Sequence, residues 1–157
     1  MSVPLIEARN VTRILPGTVP VTLVRDVSVS IGSGEFIAIT GPSGSGKSSL
    51  LYLLGLLDLP TAGDVLIKGR STTAMSEAER TRARLTLLGF VFQFHFLLPE
   101  FSLMENVALP MRALGRLSDR DVLARAEQLL AAFGLGEHRR KTPDQLSGGQ
   151  RQRVAGA

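Results

Sequence analysis

One glycine-rich segment, residues 41–48, constrains the fold of this chain more than any other feature. It reads Gly-Pro-Ser-Gly-Ser-Gly-Lys-Ser and matches the pattern G-x-x-x-x-G-K-[ST], with a predicted strand before it and a predicted helix after it. Glycines let a backbone wrap closely around an anion, and the first amides of a helix donate hydrogen bonds to it. The segment therefore predicts a loop that binds phosphate through Gly41, Pro42, Ser43, Gly44, Ser45, Gly46, Lys47, Ser48 and Ser49.

Two side chains of this loop carry chemistry that a nucleotide requires. Lys47 adds a positive charge near the β and γ phosphates, and Ser48 offers a hydroxyl oxygen to Mg²⁺, which prefers oxygen ligands. We therefore predict that the chain binds ATP with Mg²⁺, with Lys47 as a catalytic residue and Ser48 as a metal ligand. The alternative is a glycine-rich turn that binds no ligand.

The apolar pattern around the loop predicts an α/β fold. Residues 5–12 and 21–31 are expected to form an antiparallel pair of strands, because apolar and polar side chains alternate in the second of them. Residues 36–39 form a continuous apolar run, which is typical of a strand buried on both faces. A helix is expected to begin at Lys47 and to be stopped by Pro60 and the residue before it.

The rest of the chain alternates between predicted strands and helices. Residues 64–68 and 89–92 have the pattern of strands. Ser76, Ser102 and Ser118 each precede an acidic residue three positions later, which is typical of a helix start. One apolar stripe is expected to face the core after the last of these starts, formed by Val122, Ala126, Leu129, Leu130 and Phe133.

Composition excludes several classes of protein. The chain has 157 residues, of which 44% are hydrophobic, enough for one core and one domain. It has no cysteine and two histidines, which excludes disulfides and thiolate metal sites. The N-terminus lacks the pattern of a signal peptide, and the longest apolar run, residues 50–57, is far shorter than the roughly 20 residues that cross a bilayer. We therefore expect a cytoplasmic protein.

The net charge of +4 does not predict a nucleic-acid partner. The basic residues are scattered, and no aromatic residues are interleaved with them as a single-strand binding surface requires. Any association with a membrane would then depend on a partner protein.

A second anion-binding pattern occupies residues 146–150, the signature segment, which reads Leu-Ser-Gly-Gly-Gln. A serine followed by two glycines at a helix start supplies a capping hydroxyl and bare backbone donors. Ser147 lies 100 residues after Lys47, and one nucleotide has little use for two such helix starts on one small domain. A second subunit would explain the pair.

At this point the chain resembles the ABC ATPase family, through residues 41–48, Gln93 and the signature segment in the same order and spacing. The resemblance covers the whole chain. It implies a P-loop NTPase fold with an antiparallel β subdomain and P-loop core at 1–92, a Q-loop at 93–101, a helical subdomain at 102–145 and the signature helix at 146–157.

The resemblance also assigns roles to the remaining motif residues. The signature segment would face a nucleotide held by a second ATPase subunit in a head-to-tail dimer, through Ser147, Gly148, Gly149 and Gln150. Gln93 would reach Mg²⁺ and the attacking water, as a catalytic residue and metal ligand, and would link the site to a transmembrane permease.

An aromatic cluster follows Gln93 in the chain. Five of the seven phenylalanines fall within residues 90–101, where the family docks its membrane subunit. We hypothesise that Phe94, Phe96 and Leu97 line the docking groove. Residues 92–101 look most like the lipoprotein-releasing subunits, with macrolide exporters and cell-division ATPases nearby, which implies transport across or extraction from a membrane and a position on its inner face.

The chain departs from the family at its C-terminus. The family continues past the signature helix with a Walker B aspartate, a catalytic glutamate and a switch histidine, which residues 1–157 lack. We therefore expect a truncated chain that binds nucleotide weakly without hydrolysis. The missing core strands would leave residues 36–39 with unpaired edges and reduce solubility.

A second departure concerns the adenine contact, because Leu15 stands where the family usually has an aromatic residue. The sequence leaves two other readings open. The first is a non-hydrolysing partner subunit. The second is a chromosome-maintenance or ribosome-associated ATPase, of which the chromosome type is excluded by the spacing of 100 residues between the two motifs.

Overall fold

The computed structural model describes residues 3–157, and the chain divides into two compact units, Met1–Arg84 and Leu85–Ala157. The predicted subdivision at residue 92 stays a prediction. None of the helices in residues 3–157 combines the length and the apolar character that a bilayer crossing requires.

The first unit is built on a four-stranded antiparallel sheet. Its strands are β1 (Ile6–Leu15), β2 (Val21–Ile31), β3 (Ala62–Ile67) and β4 (Arg70–Ser71), in the order β2-β1-β3-β4. The predicted pairing of the first two strands is confirmed. Lys68 and Gly69 join β3 to β4 with φ angles of 50° and 77°, as a two-residue hairpin turn requires.

Helix α1 (Lys47–Leu54) packs on this sheet through Leu53 and Leu54. The prediction that Pro60 and the residue before it stop the helix is wrong, because α1 ends at Leu54 and the chain turns at Leu56, which has a φ of 60°. The Leu57 N–H donates to the Tyr52 carbonyl and the Leu56 N–H to the Leu53 carbonyl, the bond pattern that closes many helices. The Leu56 carbonyl in turn accepts a 2.6 Å hydrogen bond from Arg84.

Two predicted strands are absent. Residues 36–39 and 89–92 lie outside any strand or helix of the described chain. The Phe36 side chain is 94% exposed, so the expectation of burial on both faces is also wrong. A strand needs a neighbour to pair its backbone groups, and an apolar run alone does not supply one.

The helices that follow begin at predicted capping residues. They are α2 (Glu77–Leu87), α3 (Leu103–Leu114), α4 (Asp119–Ala132) and α5 (Gly148–Ala155). Short 3₁₀ turns at Gly136–His138 and Pro143–Gln145 precede α5. The Ser76, Ser102 and Ser118 hydroxyls accept hydrogen bonds from the backbone three residues later, which confirms these three starts.

The core of the second unit lies between α3, α4 and α5. Leu103, Val122, Leu130 and Val154 are among its buried side chains. The predicted stripe on α4 is confirmed at Val122, Ala126 and Leu130, whereas Phe133 at its end is 37% exposed.

Candidate nucleotide-binding loop and signature helix

The glycine-rich loop has a backbone that only glycine adopts easily. Gly41, Gly44 and Gly46 have φ angles of 152°, 79° and 87°. Gly46 is the N-cap of α1 and contributes no side-chain cap. Backbone donors at the start of α1 therefore remain available to a ligand.

The Lys47 ammonium group lies across the loop. Its Nζ donates to the Gly41 carbonyl at 2.8 Å and to the Pro42 carbonyl at 2.6 Å. Both acceptors are neutral carbonyls, and an anionic phosphate is a stronger partner for an ammonium group. The lysine is therefore held within the loop by two acceptors that bind it more weakly than an anion would.

Ser48 fits the role of an oxygen ligand for Mg²⁺. Its side chain is exposed in the first turn of α1 and makes no hydrogen bond to residues 3–157. Mg²⁺ binds oxygen ligands, and the Ser48 hydroxyl, next to the lysine, has lone pairs free to bind it.

A cavity of about 350 Å³ adjoins the loop in the first unit. Its polar side is formed by Ser45, Gly46 and Lys47, and its apolar side includes Val24 and Ile39. Leu15, predicted to contact adenine, does not line it. Leu15 pairs with Val21 at the end of β1 and is 40% exposed.

In the second unit, Gln93 is exposed and its side chain makes no hydrogen bond to any residue that the structure describes. It follows an aromatic stack in which the Phe90 and Phe92 rings lie 5.5 Å apart and nearly parallel. The Phe96 ring meets Phe92 edge-on at 5.2 Å. Gln93 is thus free to reach a ligand, while the residue before it is packed.

An apolar cavity of about 330 Å³ lies beside this stack. Phe96 and Leu97 line it, as hypothesised for a docking groove, together with Pro110 and Val154. Phe94 does not line it and is 70% exposed.

The signature segment opens helix α5 with a capping box. The Ser147 hydroxyl accepts from the Gln150 N–H at 3.3 Å, and the Gln150 amide oxygen accepts from the Ser147 N–H at 2.9 Å. A Cβ added at Gly148 or Gly149 would meet no atom within 4 Å, and neither residue has a positive φ. Nothing within residues 3–157 therefore requires glycine at these two positions, which leaves room for close approach from outside.

The predicted site residues are divided between the two units. The loop residues 41–49 lie in the first unit, and Gln93 and Ser147–Gln150 lie in the second. Two residues of the second unit, Asn106 and Gln152, were not among the predicted site residues. Their side-chain amides bind the backbone on either side of residues 93–97, Asn106 at Leu98 and Gln152 at Phe92. No pattern in the sequence indicates either contact. The partner of Gln152 is 60 positions away in the chain, and the contact of Asn106 depends on how residues 98–102 turn.

Comparisons with known proteins agree with this geometry. A family model described as ABC transporter matches residues 24–157. The lipoprotein-releasing system ATP-binding protein LolD 1 of Chlorobium chlorochromatii is 52% identical over 134 residues, covering 85% of this chain and 54% of that protein. LolD 2 of Caulobacter vibrioides is 48% identical over 158 residues, covering 99% of this chain and 68% of that protein.

Solved structures show the same fold. An ATP-binding cassette in a dimeric post-hydrolysis state, bound to ADP and Pi, superposes with a TM-score of 0.89 at 39% identity, covering 96% of this chain and 66% of that one. A dimeric bacterial ABC transporter cassette gives 0.88 at 40% identity with the same coverage. The chain thus spans roughly half to two thirds of the length of these relatives.

Proposed function

This chain belongs to the ABC transporter family, and we propose that it is the ATP-binding subunit of a lipoprotein-releasing transporter. In this role it couples the binding and hydrolysis of ATP to the extraction of lipoproteins from a membrane. The relatives that are 48–52% identical carry the lipoprotein-releasing name, which favours this subfamily over exporters and cell-division ATPases.

The observation that carries the proposal is the position of Lys47 in its loop. Its ammonium group is fixed between the Gly41 and Pro42 carbonyls at the N-terminus of α1. The helix start and the lysine together offer backbone donors and a positive charge to the β and γ phosphates of ATP. We place residues 41–49 at the phosphates.

Mg²⁺ is the second component of the proposed site. The Ser48 hydroxyl is exposed and unbonded among the described residues, which suits a metal ligand, and Gln93 is the second candidate ligand. When bound, the ion neutralises negative charge on the phosphates. In this proposal Lys47 would orient the γ phosphate, and Gln93 would orient the attacking water.

A second ATPase subunit completes the proposed site. Gly148 and Gly149 leave open space above the first turn of α5, and the Ser147 cap sits beside them. A γ phosphate held by the other subunit's P-loop would bind here in a head-to-tail dimer. The dimeric relative with ADP and Pi supports the presence of a second ATPase subunit.

The third proposed partner is a transmembrane permease. Phe94 and Phe96 are 70% and 68% exposed, and exposed aromatic side chains are enriched at protein interfaces. A permease helix seated against this segment would hold the subunit at the inner face of the membrane.

We also propose that residues 1–157 by themselves bind nucleotide without hydrolysing it. Phosphoryl transfer to water needs a group that orients the water and charges that neutralise the transferring phosphoryl. In the family, part of this work belongs to a carboxylate pair and a histidine that follow the signature helix, and residues 1–157 contain no such group after it.

Binding of a fluorescent ATP analogue with and without Mg²⁺, together with phosphate release, tests the nucleotide site. We expect Mg²⁺-dependent binding that Lys47→Ala abolishes and that Lys141→Ala, a lysine outside the loop, leaves within twofold. Binding that is indifferent to Lys47→Ala would overturn the proposed site. Lysine-dependent phosphate release would contradict the proposed lack of hydrolysis.

Capture of the membrane subunit from detergent extract tests the docking surface. Phe94→Ser and Phe96→Ser should each weaken capture, whereas Phe133→Ser, a partly exposed phenylalanine at the end of α4, should not. Unchanged capture by both aromatic variants would show that the permease binds elsewhere.

A further inference from the structure

One side chain of the signature helix reaches the residue before Gln93. The Gln152 Nε2 donates a 2.6 Å hydrogen bond to the Phe92 carbonyl, and the two residues are 60 positions apart in the chain. Gln152 lies in α5, the helix that Ser147 caps. The bond therefore ties the backbone immediately before Gln93 to the signature helix.

A second side-chain amide holds the other end of the same segment. The Leu98 N–H donates to Asn106 Oδ1 at 2.8 Å, and Asn106 Nδ2 donates back to the Leu98 carbonyl at 3.1 Å. The same Nδ2 also lies 3.1 Å from the Phe101 carbonyl and 3.0 Å from the Ser102 carbonyl. Asn106 in α3 thus fixes both polar groups of the Leu98 backbone.

The segment between these anchors, residues 93–97, has little structure of its own. It lies outside any helix or strand, and Phe96 adopts a φ of 48°, which is uncommon for a bulky side chain. The Leu97 N–H donates to the His95 Nδ1 at 3.2 Å. The position of Gln93 therefore depends on what holds residues 92 and 98.

The chemistry of the two anchors explains why both are amides. Leu98 presents a donor and an acceptor side by side, and a carboxamide matches both, whereas a carboxylate lacks the donor. The Phe92 carbonyl is partly buried and accepts a hydrogen bond from position 152. A side chain that makes this bond must carry a neutral or cationic donor and be about as long as glutamine. Loss of either donor leaves a carbonyl without its partner.

We propose that Gln152 and Asn106 are positioning residues that hold residues 93–97 from either end and keep Gln93 in register with the signature helix. The proposal rests on the proposed function, since it is the ATPase role that gives Gln93 and α5 their tasks. A displacement of α5 by a nucleotide at Ser147 is transmitted through Gln152 to the Phe92 carbonyl and so to Gln93. Neither anchor touches nucleotide in this scheme.

Fluorine NMR on chain labelled with 4-fluorophenylalanine tests the Gln152 anchor. The stacked Phe92 and Phe96 rings should give resonances displaced from those of exposed phenylalanines, each assigned by a single Phe→Leu substitution. Gln152→Met, which has similar length and no donor, should move both resonances towards the exposed position. Gln128→Met on α4 is the matched control and should leave them in place.

Gln152→Glu adds a pH readout that a merely structural role would not give. At pH 8 the ionised carboxylate repels the Phe92 carbonyl, so both resonances should move as in Gln152→Met. Near pH 4.5, about the ordinary pKa of a glutamate, about half of the side chains are protonated and donate an O–H, so the shifts should return about halfway to the wild-type values. Wild type and Gln128→Glu provide the reference at each pH.

The outcomes separate clearly. Wild-type resonances in Gln152→Met and in Gln152→Glu at pH 8 would overturn the anchor. If these variants fold poorly, Gln152→Lys keeps a donor and should retain the wild-type shifts, and displaced shifts in that variant would count against the inference. Asn106→Asp keeps the acceptor for the Leu98 N–H and should move the Phe96 and Phe101 resonances more than that of Phe92.

A binding assay distinguishes this inference from the proposed function. Gln152→Met should leave affinity for the ATP analogue within twofold and reduce permease capture about fivefold, the effect of one hydrogen bond of about 1 kcal/mol. Unreduced capture would contradict the link to Gln93. Absence of Lys47-dependent binding in wild type would instead overturn the proposed function and leave the NMR result standing.

Discussion

Gly46 and Leu23 approach so closely that a Cβ added to Gly46 would lie 2.1 Å from the Leu23 carbonyl oxygen. Gly46 also has a φ of 87°, which favours glycine on its own. The start of α1 therefore packs directly against strand β2. The position of the loop depends on this contact with the sheet as well as on the conformations of its own glycines.

Gly46→Ala should therefore disrupt the loop. The added methyl cannot share space with a strand carbonyl, so the loop or β2 must shift, at a cost of about 2–4 kcal/mol. We expect a lower melting temperature and loss of ATP-analogue binding. Gly89→Ala is the control, since a Cβ there meets no atom within 4 Å. Full binding by Gly46→Ala would contradict the observed approach.

Gly149→Ala should separate stability from association. Its Cβ would enter open space in the first turn of α5, and alanine is the better helix former by up to about 1 kcal/mol. Melting temperature should be unchanged or higher, while ATP-dependent self-association in sedimentation weakens about tenfold, or about 1.4 kcal/mol. Unaltered association would mean that no partner approaches this glycine.

Glu105 should make the start of α3 sensitive to acid. Hydrogen bonds from the Ser102 hydroxyl and the Ser102 N–H hold the pKa of its carboxyl below the ordinary value of 4.5. Such a group stabilises the fold above its unfolded pKa, and that contribution is lost as pH falls through the folded pKa. The effect therefore belongs to the acid range below about pH 4.5.

Glu105→Gln tests this expectation, because an amide oxygen accepts the same bonds, as Gln150 does at the start of α5. Near pH 7 the wild type should be the more stable of the two, since a carboxylate suits a helix N-terminus. The gap should close on acidification. Melting curves by circular dichroism from pH 7 to 3 measure it, and parallel pH profiles would refute the effect.

Leu15→Tyr should improve the selection of adenine. Leu15 is 40% exposed at the end of β1, so a larger ring fits there without burial. Stacking on a base contributes about 0.5–1.5 kcal/mol, so ATP should bind about two- to twelvefold more tightly, with no gain for inorganic triphosphate. Equal gains for both ligands, or none, would show that Leu15 lies away from the base.

Phe36→Lys should reduce aggregation without loss of stability. The Phe36 side chain is 94% exposed in a segment with no strand partner, and unpaired apolar backbone invites association. The fraction of chain remaining in solution should rise, while the melting temperature stays within the small range typical of surface changes. Leu117→Lys, half exposed in another loop, is the control and should have less effect.

Features with local causes could be predicted from the sequence. The starts of α2, α3, α4 and α5 each depend on a hydroxyl and a residue three positions later, so the pattern and the structure coincide. The β1 and β2 pair was accessible because alternation marks a half-buried strand. The loop glycines were predicted because the conformation that they allow is a property of single residues.

Features with distant partners could not be predicted. Residues 36–39 have the composition of a strand, but pairing depends on a neighbour that the local pattern does not contain. The end of α1 depends on Leu56 adopting a conformation that usually selects glycine. The Gln152 bond to Phe92 joins residues 60 positions apart, and no sequence pattern near either residue indicates that the two are in contact.

In the proposed function, the Gly41 and Pro42 carbonyls compete with phosphate for the Lys47 ammonium group. A bound phosphate would replace the two carbonyls, so the affinity for nucleotide would depend on the difference in free energy between these two contacts of Lys47. A substitution that strengthens the contact of Lys47 with the two carbonyls would lower the apparent affinity for ATP without contacting the nucleotide. The strength of the resting contact would thus help to set the ATP concentration at which the proposed site is half occupied.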